Sequence, residues 1–150
     1  MSTRKQELGR WGEELVSTKC RCPKCKRSER TLRTLPANFR CADVLCDFCG
    51  YLGQVKTQTV RDINSIPGAI LGAAWRPQRE RMTAGIFFPL FLVLCTSRSR
   101  YAIYYLSADL QRPAMFVPRK PLSSGAHRAG WQGFRYDLRK VARGAIVRLI

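Results

Sequence analysis

Apolar residues recur at helical spacing between residues 6 and 19. Leu8, Trp11, Leu15 and Val16 share one face of QELGRWGEELVSTK, which predicts an amphipathic opening helix. From Asp43 the pattern changes. Asp43, Val44 and Leu45 start a strand, a turn runs through residues 46–50, and Tyr51, Leu52, Val55 and Thr57 continue as a β-rich partner strand. Residues 62–80 place Ile70, Leu71, Ala74 and Trp75 on one helical face, which predicts a second helix. Pro67 suits its first turn, while Gly68 and Gly72 work against it. Arg76, Arg79 and Arg81 crowd its end, where cations suit the helix dipole and can meet phosphates.

The most apolar run is IFFPLFLVLC, residues 86–95. It is too short for a membrane span and contains Pro89, so it reads as a strand buried on both faces. A short polar turn joins it to RYAIYYL, residues 100–106, which predicts an antiparallel hairpin placed at the edge of the sheet. Residues 109–115 read as a short helical turn and ARGAIVRLI as a final strand. Between them lies a flexible basic loop rich in Gly and Pro, with Arg119, Lys120, His127, Arg128 and Arg135 around Trp131. Such a loop suits nucleic acid, with cations on phosphates and the ring stacked on a base; plugging the loop into the core is the equal alternative for Trp131.

The length of 150 residues predicts a single domain, 1–150. Charge sharpens the picture: 27 Lys and Arg against 10 acids give +17, an excess that points to a polyanion, with nucleic acid the default over an anionic membrane surface. The N-terminus has no apolar run of the signal-peptide kind. Seven cysteines without such a signal predict a cytoplasmic protein that uses thiolates for metal and not for disulfides.

Two constellations carry candidate chemistry. Cys22, Cys25, Cys46 and Cys49 form C-x2-C-x20-C-x2-C, with knuckles at 20–25 and 46–49, and four sulfurs in two tight turns satisfy tetrahedral Zn²⁺ in a closed structural site. Cys20 and Cys41 lie near the knuckles without that spacing, and Cys95 reads as a buried thiol. The second constellation is Asp43, Gln54 and Lys56. An acid offers a hard oxygen to Mg²⁺, and the Gln54 amide oxygen on an adjacent strand is a second donor without charge. Lys56, two residues along, points to the same side and can orient a water or stabilise developing charge. Glu13 or Glu14 on the opening helix is a further candidate ligand, the plainer reading of each being a solvated acid.

The motifs GEELV, CPKC, CADVLCDFC, QVK, GAILGAAWRP and RKPLSSGAHRAGWQGF resemble, in order, the nuclease domain of the DpnI-type methyladenine-dependent restriction endonuclease family, within the PD-(D/E)xK superfamily. The resemblance implies an α/β (α+β) fold with a mixed sheet flanked by helices and an inserted four-cysteine zinc site. It implies Mg²⁺-dependent, type II, methyl-directed cleavage of double-stranded DNA. By position, Asp43 and Lys56 match catalytic residues, the four cysteines match zinc ligands, Gln54 stands at a catalytic glutamate, and Trp131 matches a DNA-recognition loop. The resemblance implies a winged-helix domain after the nuclease domain in the family's restriction enzymes, and none is expected within residues 1–150. Selectivity for adenine-methylated sites is therefore an expectation that could require a recognition partner or self-association. The competing expectation is a zinc-containing nucleic-acid-binding protein that has lost catalysis through Gln54.

Overall fold

The computed structural model describes residues 2–37, 39, 41–74, 76–119 and 132–150. Helix α1 spans Arg4–Lys19. Thr3 caps it through a reciprocal pair, the Gln6 N–H donating to Thr3 Oγ1 at 3.2 Å and the Thr3 N–H donating to Gln6 Oε1 at 2.7 Å. Its predicted apolar face packs inward: Leu15 and Val16 are buried and Trp11 is half-buried. Gly12 is buried too, because a Cβ there would strike Thr57.

Strands β1 (Leu32–Thr34), β2 (Val44–Cys46) and β3 (Leu52–Thr59) form an antiparallel run. The turn between β2 and β3 holds Gly50 at φ +77, a left-handed conformation that suits glycine. β4 spans Ala69–Ala74, α2 Arg76–Thr83, β5 Leu90–Cys95 and β6 Tyr101–Leu106. β7 spans Phe116–Pro118, β8 Gln132–Asp137 and β9 Val147–Arg148. The fold is mixed α+β. The larger sheet has the order β1-β2-β3-β5-β6-β9, and β3 and β5 pair in parallel while their neighbours pair antiparallel. The smaller sheet, β4-β8-β7, is antiparallel.

The centre of the larger sheet is buried on both faces, which explains the unbroken apolar run of β5. Phe91, Val93, Ile103 and Val55 face α1 and the cysteine knuckles. Leu90, Leu92, Leu94 and Tyr104 face the smaller sheet through Ile70, Phe134 and Tyr136. Each such fully buried apolar side chain is worth about 1.5–3 kcal/mol. No helix among the described residues is long and apolar enough to cross a membrane.

The predicted helix over 62–80 is overturned. Residues 62–68 are turns and bends, 69–74 are the strand β4, and the helix that follows is short. Ile70 is buried and Leu71 exposed, an alternation of period two that a helical face at Ile70, Leu71, Ala74 and Trp75 obscured. Gly72, a weakness in a helix, fits the strand: a Cβ there would lie 2.6 Å from Cζ of Tyr136, which packs over it from β8. The 86–106 hairpin is central and not at the edge, because β3 flanks β5 and β9 closes β6. Part of the expected loop after Met115 is the paired strands β7 and β8. The final strand is only Val147–Arg148. Trp75, Lys120, His127, Arg128 and Trp131 lie outside the described residues.

Candidate metal and active-site cavity

The two knuckles meet as their spacing requires. The sulfurs of Cys22, Cys25, Cys46 and Cys49 all lie within 4.8 Å of one another. Cys22 and Cys49 are 3.5 Å apart, and Cys25 and Cys46 are 3.8 Å apart. A tetrahedron of sulfurs around zinc at about 2.3 Å has edges of about 3.8 Å, so four thiolates can share one ion such as zinc without rearrangement. Cys46 Sγ also lies 3.1 Å from Thr31 Oγ1 and accepts the Cys49 N–H at 3.5 Å. Burial opposes its ionisation, but these neighbours lower the thiol to about 6, which suits a ligand. Cys20 and Cys95 are buried away from the cluster, and Cys41 Sγ accepts from Arg81 at 3.6 Å.

The hairpin that carries the second knuckle carries the acid and the lysine toward its other end. β2 pairs with β3 only at Val44–Gly53 and Leu45–Leu52. Beyond that the Asp43 side chain takes over, its Oδ2 accepting the Val55 N–H at 2.8 Å. Pairing with Leu90 and Leu92 puts Gln54 and Lys56 on the same face of β3. Lys56 Nζ sits 5.9 Å from the centre of the Tyr136 ring.

Glu13, Asp43 and Lys56 line one cavity of about 550 Å³. Ile70 and Gly72 of β4 and Arg119 after β7 form its far side, and Thr3, Lys5 and Gln6 from the start of α1 lie at its rim. The positive end of the α1 dipole and Lys5 favour an anion there. The sequence left Glu13 and Glu14 open; Glu13 is half-buried and lines the cavity, whereas Glu14 is exposed and does not. Gln54 is half-buried, its N–H donating to the Pro89 carbonyl at 2.8 Å, but it is not among the cavity's lining residues. Arg135 is exposed on β8 and also does not line it.

Burial and carboxylate crowding set the electrostatics of the cavity. Burial, and next the nearby Asp43 carboxylate, push Glu13 up to about 7. Burial also raises Asp43 against the Val55 hydrogen bond and Lys56. Burial lowers Lys56, while Asp43 and Glu13 hold its proton on. Two partly buried carboxylates thus crowd one another despite Arg10 and Lys56, and a hard cation between them would relieve both. Tyr136 is a residue that sequence reasoning missed. Its hydroxyl is buried with no hydrogen-bond partner among the described residues, and burial and Asp43 push it up to about 12. No local motif flags it, because only β4–β8 pairing brings it beside Lys56.

A family model for DpnI, described as the Dam-replacing family, matches residues 2–150, essentially the whole chain. The chain belongs to the DpnI family. Membership implies DNA as the partner and a restriction-related role. A search of curated proteins finds no match.

Proposed function

We propose that this DpnI-family chain is a Mg²⁺-dependent endonuclease that hydrolyses phosphodiester bonds of double-stranded DNA, built on a PD-(D/E)xK nuclease core that a structural zinc ion braces. The observation that carries the reading is the convergence of Glu13, Asp43 and Lys56 in one cavity. The donors fit a hard cation: the carboxylates of Glu13 and Asp43 supply hard oxygens. Bound there, Mg²⁺ would neutralise charge on a phosphoryl oxygen and lower the pKa of a water.

The chain's own residues would do the rest. Asp43, held by the Val55 N–H, and Glu13, from α1, would hold the cation through their carboxylates. Lys56, seated against Tyr136, orients the attacking water and offsets negative charge as the phosphoryl centre is attacked. Arg119 and the first turn of α1 hold the flanking phosphate. Preference for adenine-methylated sites is part of the proposal and follows from the family.

Gln54 favours a second reading. It brings no charge and does not line the cavity, as in a nuclease fold that binds DNA without cutting it. One assay separates the two: plasmid, adenine-methylated and unmethylated, incubated with Mg²⁺ and wild-type or Lys56→Ala protein. The nuclease reading expects cutting by wild type alone. Intact plasmid in every lane, or equal cutting by Lys56→Ala, defeats it, and a gain of cutting in Gln54→Glu would mark a decayed enzyme.

A further inference from the structure

The metal knuckles carry a surface that the cavity does not use. Phe48, at the tip of the second knuckle, is 61% exposed. Its ring is covered on one side by Arg27 from the first knuckle's flank, the guanidinium 4.1 Å from the ring centre. Around them Arg21, Lys24, Lys26 and Arg30 are exposed. The two acids in this region are already engaged, Glu29 with Arg27 at 3.4 Å and Asp47 with Arg33 at 2.8 Å. No acid among the described residues pairs with Arg21, Lys24, Lys26 or Arg30.

We propose that this knuckle face is a second contact for the phosphate backbone of duplex DNA, separate from the cavity. The inference rests on DNA as the partner and not on cleavage. Charge complementarity names the occupant: exposed cations with no acid partner among the described residues suit a polyanion, and Phe48 holds the Arg27 side chain in place at little entropic cost. The plainer explanation is that the cations only offset the net negative charge of four thiolates around a divalent ion. Against it, none of these five side chains comes within hydrogen-bonding distance of a knuckle sulfur.

The hairpin sets the spacing. Asp43 and Cys46 are three residues apart on an extended chain, and at about 3.3 Å per residue the knuckle lies roughly 10 Å from the acid. That is about three nucleotides along one DNA strand, at about 3.4 Å each. The separation is thus short on the scale of a duplex, with Asp43 and Cys46, three residues apart, on opposite faces of their strand.

The test measures affinity for a linear duplex without added divalent cation, so that nothing is cut, across about 50 to 200 mM salt. Lys24→Gln/Lys26→Gln is compared with wild type and with Arg61→Gln/Arg112→Gln, which removes the same charge from exposed positions elsewhere. Each phosphate contact contributes about 0.9 to the slope of log affinity against log salt. The knuckle pair should lower that slope by about two, so wild type loses roughly tenfold more affinity than the variant over the range. The control pair should keep the wild-type slope, and both variants should keep their zinc and melting temperature. Arg21→Gln/Arg30→Gln repeats the test should the first pair fail to fold. An unchanged slope in the knuckle variants, an equal fall in the control, or loss of zinc from folded knuckle variants overturns the proposal. Because the assay scores binding alone, its failure leaves the hydrolytic reading intact, and a failure to cut leaves the knuckle contact standing.

Discussion

Asp43 Oδ2 accepts the backbone N–H of Val55 at 2.8 Å, so a side chain continues the ladder where the β2 backbone stops. This bond fixes the acid on the strand that carries Lys56, and it separates two functions of one carboxylate. Asp43→Ala should leave the Val55 N–H without its acceptor, lowering stability by about 1–3 kcal/mol, and abolish cleavage. Asp43→Asn keeps an oxygen that can accept the bond but no charge. It should melt close to wild type and still not cut. Thermal melts beside a plasmid assay check both; a fully active Asp43→Asn would remove Asp43 from the metal site.

The two glutamates should part company. Glu13→Gln takes a crowded carboxylate out of the cavity, so the metal-free protein should become more stable while cleavage at limiting Mg²⁺ falls at least tenfold. Glu14→Gln, on the exposed side of α1, should behave as wild type. Activity titrated against Mg²⁺ reads the difference, and equal loss in both would mean that α1 acts only through its fold.

A pH dependence follows from the same crowding. Glu13 titrates near 7 in the folded chain against 4.5 for the free side chain, so the folded state binds more protons in between. Stability of the metal-free protein should therefore fall as pH rises from about 4.5 to about 7, then level off for this group. Asp43, also raised, contributes with the same sign from its ordinary value of 3.8 upward. Mg²⁺ in the cavity should flatten the fall by taking the place of the proton. Denaturant melts from pH 5 to 8, with and without Mg²⁺, test this; a rise in metal-free stability over that window would contradict it.

Loss of the knuckle metal should cost more than any single side chain. In a chain this small, a closed four-thiolate site supplies much of the folding free energy. Cys22→Ser and Cys49→Ser should lose zinc, loosen the β2–β3 hairpin and stop cleavage. Cys20→Ser and Cys41→Ser, outside the cluster, should retain the metal. Zinc content by elemental analysis alongside melting decides it.

Local signals carried much of the architecture. The C-x2-C spacing anticipated the thiol cluster, the periodicity of Leu15 and Val16 anticipated α1, and the turn at Gly50 anticipated the β2–β3 hairpin. The sequence could not resolve elements that only distant pairing defines. β4 resembled a helix because Ile70 and Ala74, four apart, fit either period, and Leu71, exposed on the strand, falls on the same helical face. Its partner β8, with Phe134 and Tyr136 to cover it, lies some sixty residues on, within a stretch whose glycines and prolines read as loop. The same distance hid the cavity's far side. Asp43 and Lys56 were visible as neighbours on one hairpin, whereas Gly72, Arg119 and Tyr136 join them only through the smaller sheet. The choice between Glu13 and Glu14 depended on how α1 lies against Thr57, which helical periodicity alone does not specify.

The smaller sheet draws β8 from the last fifth of the chain. A ribosome that has delivered only the first sixty residues has already released both knuckles, the acid and the lysine, yet nothing to face them across the groove. Assembly of the complete cavity must wait until synthesis is nearly finished, so a prematurely terminated fragment would carry Asp43 and Lys56 without the smaller sheet that walls the cavity.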